Sequence, residues 1–233
     1  MLQVNINKVA KLEFNVNEAY KALRTNVEFC GKNIKVIMLT SCTPDEGKSS
    51  VSFELARSFA EADKKVLLID CDIRKSVMIS RLQVDREVNG LSQYLTGKKR
   101  LDEIIYETNI PNLDMIFTGP TAPNPSELLG SEDFSDLLKF ERNNYNYVIV
   151  DTPPLGGVID GAIVAKNCDG ALIVVESGAI SYKMVQRVKE QLQKSGCSVL
   201  GAVLNKVDMQ KRGYYGRYYG KYYGKYYGHN DNK

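Results

Sequence analysis

Short runs of β-branched and aliphatic residues alternate along the chain with longer stretches whose apolar residues recur every three or four positions. The short runs predict strands near 35–40, 65–70, 113–117, 147–151, 170–175 and 199–205. The amphipathic stretches predict helices near 17–30, 48–62, 131–143, 159–167 and 181–194. Strands that are apolar on both faces and separated by helices imply an α/β fold, a doubly wound, mostly parallel sheet with helices on both sides. The stretch Pro111 to Pro125, with its GPTAPNP core, reads as a loop because proline removes a donor and turns its predecessor away from helix. No domain boundary shows before Asp208, so residues 1–208 read as one domain.

Beyond Asp208 the periodicity ends. Residues Tyr214 to His229 repeat YYG four times, each followed by Arg, Lys, Lys or His. A four-residue unit with a glycine in every copy builds neither an apolar stripe nor a strand alternation, so residues 209–233 are expected to be a disordered tail. This tail holds eight of the 14 tyrosines in the 233-residue chain, which leaves six for everything before it. Of the formal net charge of +3, the residues from Lys211 onward carry +5 and the rest −2. A near-neutral body with a basic aromatic appendage does not match a nucleic-acid-binding domain.

Composition removes several chemistries. The single histidine, His229, lies in the tail, which excludes Ser-His hydrolysis and histidine-ligated metals. The five cysteines (Cys30, Cys42, Cys71, Cys168, Cys197) lack CxxC spacing and read as buried reduced thiols. The apolar runs are too short to span a bilayer, and the first residues show no signal-peptide core, so a cytoplasmic location is expected.

The chemistry is carried by Val36 to Ser50, VIMLTSCTPDEGKSS, a predicted strand, turn and helix start ending in Gly47-Lys48-Ser49. Backbone N–H groups of such a loop and of the helix N-terminus point at phosphates, and the helix dipole adds to the attraction. Gly47 permits close approach, Lys48 neutralises β- and γ-oxygens, and the Ser49 hydroxyl suits Mg²⁺. The nucleotide-binding stretch is Thr43, Pro44, Asp45, Glu46, Gly47, Lys48, Ser49 and Ser50. Against G-x-x-x-x-G-K-[ST], Cys42 occupies the first glycine position. Two further strands end in carboxylates, VLLIDCDIR at Asp70 and Asp72 with Arg74 beyond, and VIVDTPP at Asp151. In a parallel sheet these strand ends share one edge with Lys48 and Ser49, where carboxylates hold Mg²⁺ or accept a hydroxyl proton. For any one of the three, a helix cap or turn residue is the plain alternative. Asn205-Lys206-Val207-Asp208 copies the NKxD element of GTPases, but Asp151-Thr152-Pro153-Pro154 lacks the glycine of D-x-x-G. ATP is therefore preferred over GTP, with Asn205 a candidate base contact.

Together, the EGKSS loop, the LLIDCDIR strand, the DTPP strand end and the tyrosine-rich C-terminus resemble the bacterial tyrosine kinases, P-loop autokinases of capsule and exopolysaccharide synthesis, in their free-standing form. The resemblance runs from about Glu18 to Gly228. It implies ATP and Mg²⁺ as cofactors; Lys48, Asp70, Asp72 and Asp151 as catalytic residues; and Ser49 with the three aspartates as metal ligands. One of the pair Asp70 and Asp72, with Asp70 preferred, would take the proton of the attacking tyrosine. It implies autophosphorylation of Tyr214, Tyr215, Tyr218, Tyr219, Tyr222, Tyr223, Tyr226 and Tyr227, and a ring of identical subunits joined through Glu18, Lys21 and Arg24 on the helix near 17–30. A local ion-paired helix face is the alternative for that last trio, and Lys21 stands where the family carries arginine. Asp45 stands where the family usually carries glycine, which bears on nucleotide affinity unless the side chain points outward. The resemblance further implies a membrane-anchored adaptor that activates the kinase at the inner face of the plasma membrane, and a cognate tyrosine phosphatase. A partition or septum-placement ATPase of the same P-loop class is the competing reading, although Thr43 replaces the lysine those proteins carry five residues before Lys48. A non-enzymatic module whose tail stacks on RNA or polysaccharide is a third. As a substrate, a Gly-rich coil of about 20 residues spans roughly 25 Å, enough to enter a neighbouring active site.

Overall fold

The computed structural model describes residues 2–208. Eight strands form one sheet: β1 (Leu2–Val4), β2 (Val36–Ser41), β3 (Val66–Asp70), β4 (Ile105–Thr108), β5 (Leu113–Ile116), β6 (Tyr147–Asp151), β7 (Gly170–Glu176) and β8 (Ser198–Asn205). The helices are α1 (Phe14–Phe29), α2 (Lys48–Ala60), α3 (Met78–Leu82), α4 (Leu91–Leu95), α5 (Pro125–Leu129), α6 (Glu132–Asn144), α7 (Asp160–Ala165) and α8 (Tyr182–Lys194). The strand order is β1-β4-β5-β3-β6-β2-β7-β8, and every pairing is parallel except β4 with β5. The doubly wound α/β reading holds.

The central strands β2, β3 and β6 are apolar along most of their length, up to polar C-terminal ends, because both of their faces are covered. Alternate residues divide between two cores. Met38, Leu67, Ile69, Val148 and Val150 join Phe134, Leu138, Val164 and Val188 on one side. Ile37, Leu39, Leu68 and Ile149 join Val51, Leu55, Phe59 and Val27 on the other. Helices α6, α7 and α8 therefore cover one face, and α1 and α2 the other. Two helix starts are capped as their sequences suggest. Ser131 accepts from the Phe134 N–H at α6, and Ser181 from the Met184 N–H at α8.

Two strands and three short helices escape the sequence reading. β1 and β4 are three and four residues long, and they lie at or beside the sheet edge, where exposed and half-buried positions break the apolar run. The proline-rich stretch is not wholly loop. It contains β5, the strand expected near 113–117, and Pro125 opens α5 at a position where the absent N–H costs no hydrogen bond. Among the cysteines, Cys42, Cys71 and Cys197 are buried free thiols, but Cys30 is exposed at the end of α1. The tyrosine cluster Tyr214 to Tyr227 lies outside the described residues.

Candidate functional site: a phosphate loop facing paired carboxylates

The parallel strands β2, β3, β6, β7 and β8 all end on one edge, and their order places β6 between β3 and β2. Asp70 and Asp151 therefore become register partners across neighbouring strands. The loop leaving β2 lies between the ends of β6 and β7 before it enters α2.

Gly47 precedes α2 with φ of +88°, and a Cβ there would sit 2.1 Å from Asn205 Nδ2. Only glycine suits that position. Asp45 also adopts a positive φ, +65°, with an exposed side chain, so it turns outward, away from the loop's interior. The loop is fastened from below by a buried carboxylate, Glu46, which the sequence placed within the nucleotide-binding stretch. Glu46 accepts from the Thr43 N–H and hydroxyl on one oxygen, and from the Glu176 N–H of β7 (3.0 Å) on the other. Lys206 reaches the Asp45 carbonyl (2.6 Å) and Glu176 Oε2 (2.8 Å). The Asn205 amide donates to the Glu46 carbonyl at 2.9 Å, which makes it a brace of the loop. The DTPP segment is tied to β2 in turn: the Thr152 hydroxyl donates to Leu39 O (2.9 Å) and the Thr40 hydroxyl to Pro153 O (3.1 Å). A Cβ on Gly156 would meet the Cys42 carbonyl at 2.1 Å, so the DTPP and phosphate loops touch backbone to backbone.

The chemical centre is buried. Lys48 Nζ lies 2.8 Å from Asp151 Oδ1 and 3.1 Å from Ser49 Oγ. The Ser52 hydroxyl, one turn along α2, also reaches Asp151 Oδ1 at 2.8 Å. Asp70 accepts from the Ser76 hydroxyl and from the Asp72 N–H. Burial first, and then the Asp151 charge, push the Asp70 carboxyl up to about 7, against the pull of Ser76, Lys48 and the Asp72 N–H. Asp72 is half-buried and is raised as well, mainly by burial. Lys48, Ser49, Asp70, Asp72 and Asp151 thus share one site. Ser50 lies at the start of α2 beside the guanidinium of Arg81 from α3.

Arg74, the arginine of the LLIDCDIR segment, faces elsewhere. Its Nε and Nη2 clasp both oxygens of Asp160 at 2.6 and 3.0 Å, and Ser126 donates to the same carboxylate. Asp160 is 0% exposed, and burial opposes its ionisation, but the hydrogen bonds from Arg74 and Ser126 together with the Arg74 charge outweigh it and hold the carboxyl below the usual range. This clasp joins the end of the β3 loop to α7 and α5. On α1, Lys21 pairs with Glu18 at 2.7 Å, while Arg24 donates to Ser58 O of α2 at 2.6 Å.

The donor set suits a nucleotide with its metal. Among the described residues no three acidic, histidine or cysteine side chains form a metal cage. One hydroxyl and a few carboxylates beside a phosphate loop fit an ion that takes its remaining ligands from phosphates and water. The Lys48 ammonium on Asp151 shows that this position accepts a cation. Ser52, Ser76 and Arg81 were missed from sequence, and Glu46 was expected as part of the nucleotide-binding stretch rather than as its fastening to β7. Only Ser52 carried a signal, its i+4 spacing from Lys48.

The AAA domain family profile matches residues 34–198. Tyrosine-protein kinase CpsD of Streptococcus pneumoniae is 43% identical over 88% of this chain and 92% of its own length. Tyrosine-protein kinase YwqD of Bacillus subtilis is 35% identical over 92% of each chain. The kinase domain of the Escherichia coli tyrosine kinase ETK superposes with a TM-score of 0.79 at 38% identity, covering 84% of this chain and 77% of that one. The septum site-determining protein MinD of Pyrococcus horikoshii shares the fold, with a TM-score of 0.66 at 22% identity over 76% of this chain and 72% of its own.

Proposed function

The chain belongs to the bacterial tyrosine-protein kinases, and on that premise we propose that it transfers the γ-phosphoryl group of ATP to the tyrosines of its own Tyr214–Tyr227 cluster in a second copy. Through that reaction it regulates the polymerisation and export of a capsular or extracellular polysaccharide. The observation that carries this reading is the meeting of Lys48, Asp151 and Asp70 at the mouth of the Gly47 loop.

In the Thr43–Ser50 stretch the loop and helix N–H groups from Asp45 to Ser50 receive the phosphates, and Lys48 exchanges Asp151 for β- and γ-oxygens. Ser49, with Asp70, Asp72 and Asp151 reached directly or through water, would hold Mg²⁺, which neutralises developing charge on the phosphates. A tyrosine oxygen bonds to the γ-phosphorus as the bond to the β-phosphate oxygen breaks and ADP departs. The phenol, with a pKa of about 10, must lose its proton. Asp70, raised towards neutrality, is a stronger base than an ordinary carboxylate and takes it.

The subunits assemble as a ring through α1. The Glu18–Lys21 pair is exposed and worth about 0.3–0.5 kcal/mol, so it is readily exchanged for contacts with a neighbour. Among the described residues no helix is long and apolar enough to cross a membrane. A membrane-anchored adaptor is proposed to recruit and activate the kinase, and a tyrosine phosphatase to reset it. The competing partition-type reading is supported only at the level of fold.

Mass spectrometry of the full chain incubated with Mg-ATP, with and without the adaptor's cytoplasmic segment and with Lys48→Met as the blank, tests this reading. Phosphate is expected on Tyr214 to Tyr227, weakly alone and strongly with the adaptor. An unmodified cluster in the adaptor's presence overturns the reading, and strong unaided turnover overturns the need for an adaptor.

A further inference from the structure

Six tyrosines lie within the described residues, and five have rings committed to the fold. Tyr145 is buried and donates to Asp114 Oδ2 at 2.7 Å. Tyr106 is buried, its hydroxyl accepting from the Asn89 N–H at 2.8 Å. Tyr147 stacks on Phe59, with ring centroids 4.0 Å apart. Tyr20 is half-buried between α1 and α2, its phenol pushed up to about 12 by burial and the Glu54 charge. Tyr94 is half-buried against the core. Tyr182 differs from all of these, at 75% exposed.

We infer that Tyr182 is a further phosphate acceptor, modified in trans by a second copy of this chain, a reading that rests on the proposed self-phosphorylation. Tyr182 follows the turn that leaves β7, on the same edge of the sheet as the phosphate loop, and Gly178 takes that turn at φ of +74°. Ile180 on one side and Met184 on the other pack against the core. The phenol therefore stands outward on a firm base, at a rim that a second subunit's site can approach. The local charge also accepts the product. Tyr182 is the first residue of the 13-residue α8, whose opening turn contains no acidic residue, and Lys183 follows it. A phosphate of about −1.5 to −2 charge at a helix N-terminus meets the positive end of the dipole. Val185 and Gln186, one turn further along, present no charge against it. In the reaction, Tyr182 Oη bonds to the γ-phosphorus of ATP, ADP leaves, and the phenolic proton passes to the donor subunit's carboxylate.

The test mixes the active full chain, Mg-ATP and the adaptor segment with an isotope-labelled acceptor copy that carries Lys48→Met and phenylalanine at all eight tail tyrosines. Mass spectrometry then follows the acceptor's tryptic peptide 167–183. The expected result is phosphate on Tyr182, and complete loss of that signal when the acceptor also carries Tyr182→Phe. Phosphate on the active copy's tail with an unmodified peptide 167–183, or with phosphate on Ser181, overturns the Tyr182 assignment alone. Phosphate on neither copy overturns the self-phosphorylation reading and this inference with it.

Discussion

Replacing Asp70 with asparagine should stabilise the protein while disabling it, and the size of the gain should depend on pH. Asp70 is 1% exposed and adjoins Asp151 in register. Its carboxyl rises to about 7 in the folded chain, against about 3.9 when unfolded. The folded protein thus binds this proton more tightly, and stability falls as pH rises from about 4 to about 7 before levelling off. About three pKa units at 1.36 kcal/mol each set a ceiling of about 4 kcal/mol. Asparagine removes the charge and keeps a carbonyl oxygen for the Asp72 N–H, leaving the Lys48–Asp151 pair neutral. Asp70→Asn should therefore gain about 2–4 kcal/mol at about pH 8.5, or about 5–12 °C in Tm for a chain of this length. At about pH 5 most of the gain should vanish, because the wild-type carboxyl is by then largely neutral. Urea and thermal unfolding of both proteins without nucleotide, at the two pH values, measure this directly. A variant less stable than wild type at the higher pH, or a difference of equal size at both, would refute the reasoning. Kinase turnover should fall about 10²–10⁴-fold, as expected for loss of a general base.

Lys48→Met should lower stability by about 3 kcal/mol, because it leaves Asp151 without its buried partner. Adding Asp151→Asn should restore stability but not phosphorylation, as denaturation and kinase assays on the double variant would show. Arg74→Ala should cost about 1–3 kcal/mol, since the buried Asp160 loses its clasp, while Arg74→Lys should fall between. Because the Asp160 carboxyl is held low, this contribution should be present above the ordinary carboxylate range and disappear as pH drops below about 4, which acid unfolding of both chains can test. Gly47→Ala places a Cβ against Asn205 at positive φ. It should cost about 1–3 kcal/mol and weaken nucleotide binding more than folding, read by comparing calorimetric ATP affinity with Tm.

The apolar runs of β2, β3, β6 and β7, the phosphate loop, and the aspartates at strand ends could all be read from the sequence, because each is written in contiguous residues. Once the sheet is parallel, its strand ends must share one edge, so the grouping of Lys48, Asp70, Asp72 and Asp151 followed from local patterns alone. Folding decided which strand lies next to which. Placing β6 between β3 and β2 makes Asp151 both the neighbour of Asp70 and the partner of Lys48. Glu46 fastening the loop to β7 across 130 residues, and Arg74 clasping Asp160 across 86, have no local spacing by which to be recognised. The exposure of Tyr182 is of the same kind. In the sequence it is one tyrosine among 14, and only the folded chain shows the other five described tyrosines packed and this one facing solvent. Periodicity records what a residue's own helix or strand requires, whereas long-range partners and solvent exposure are fixed only when distant segments meet.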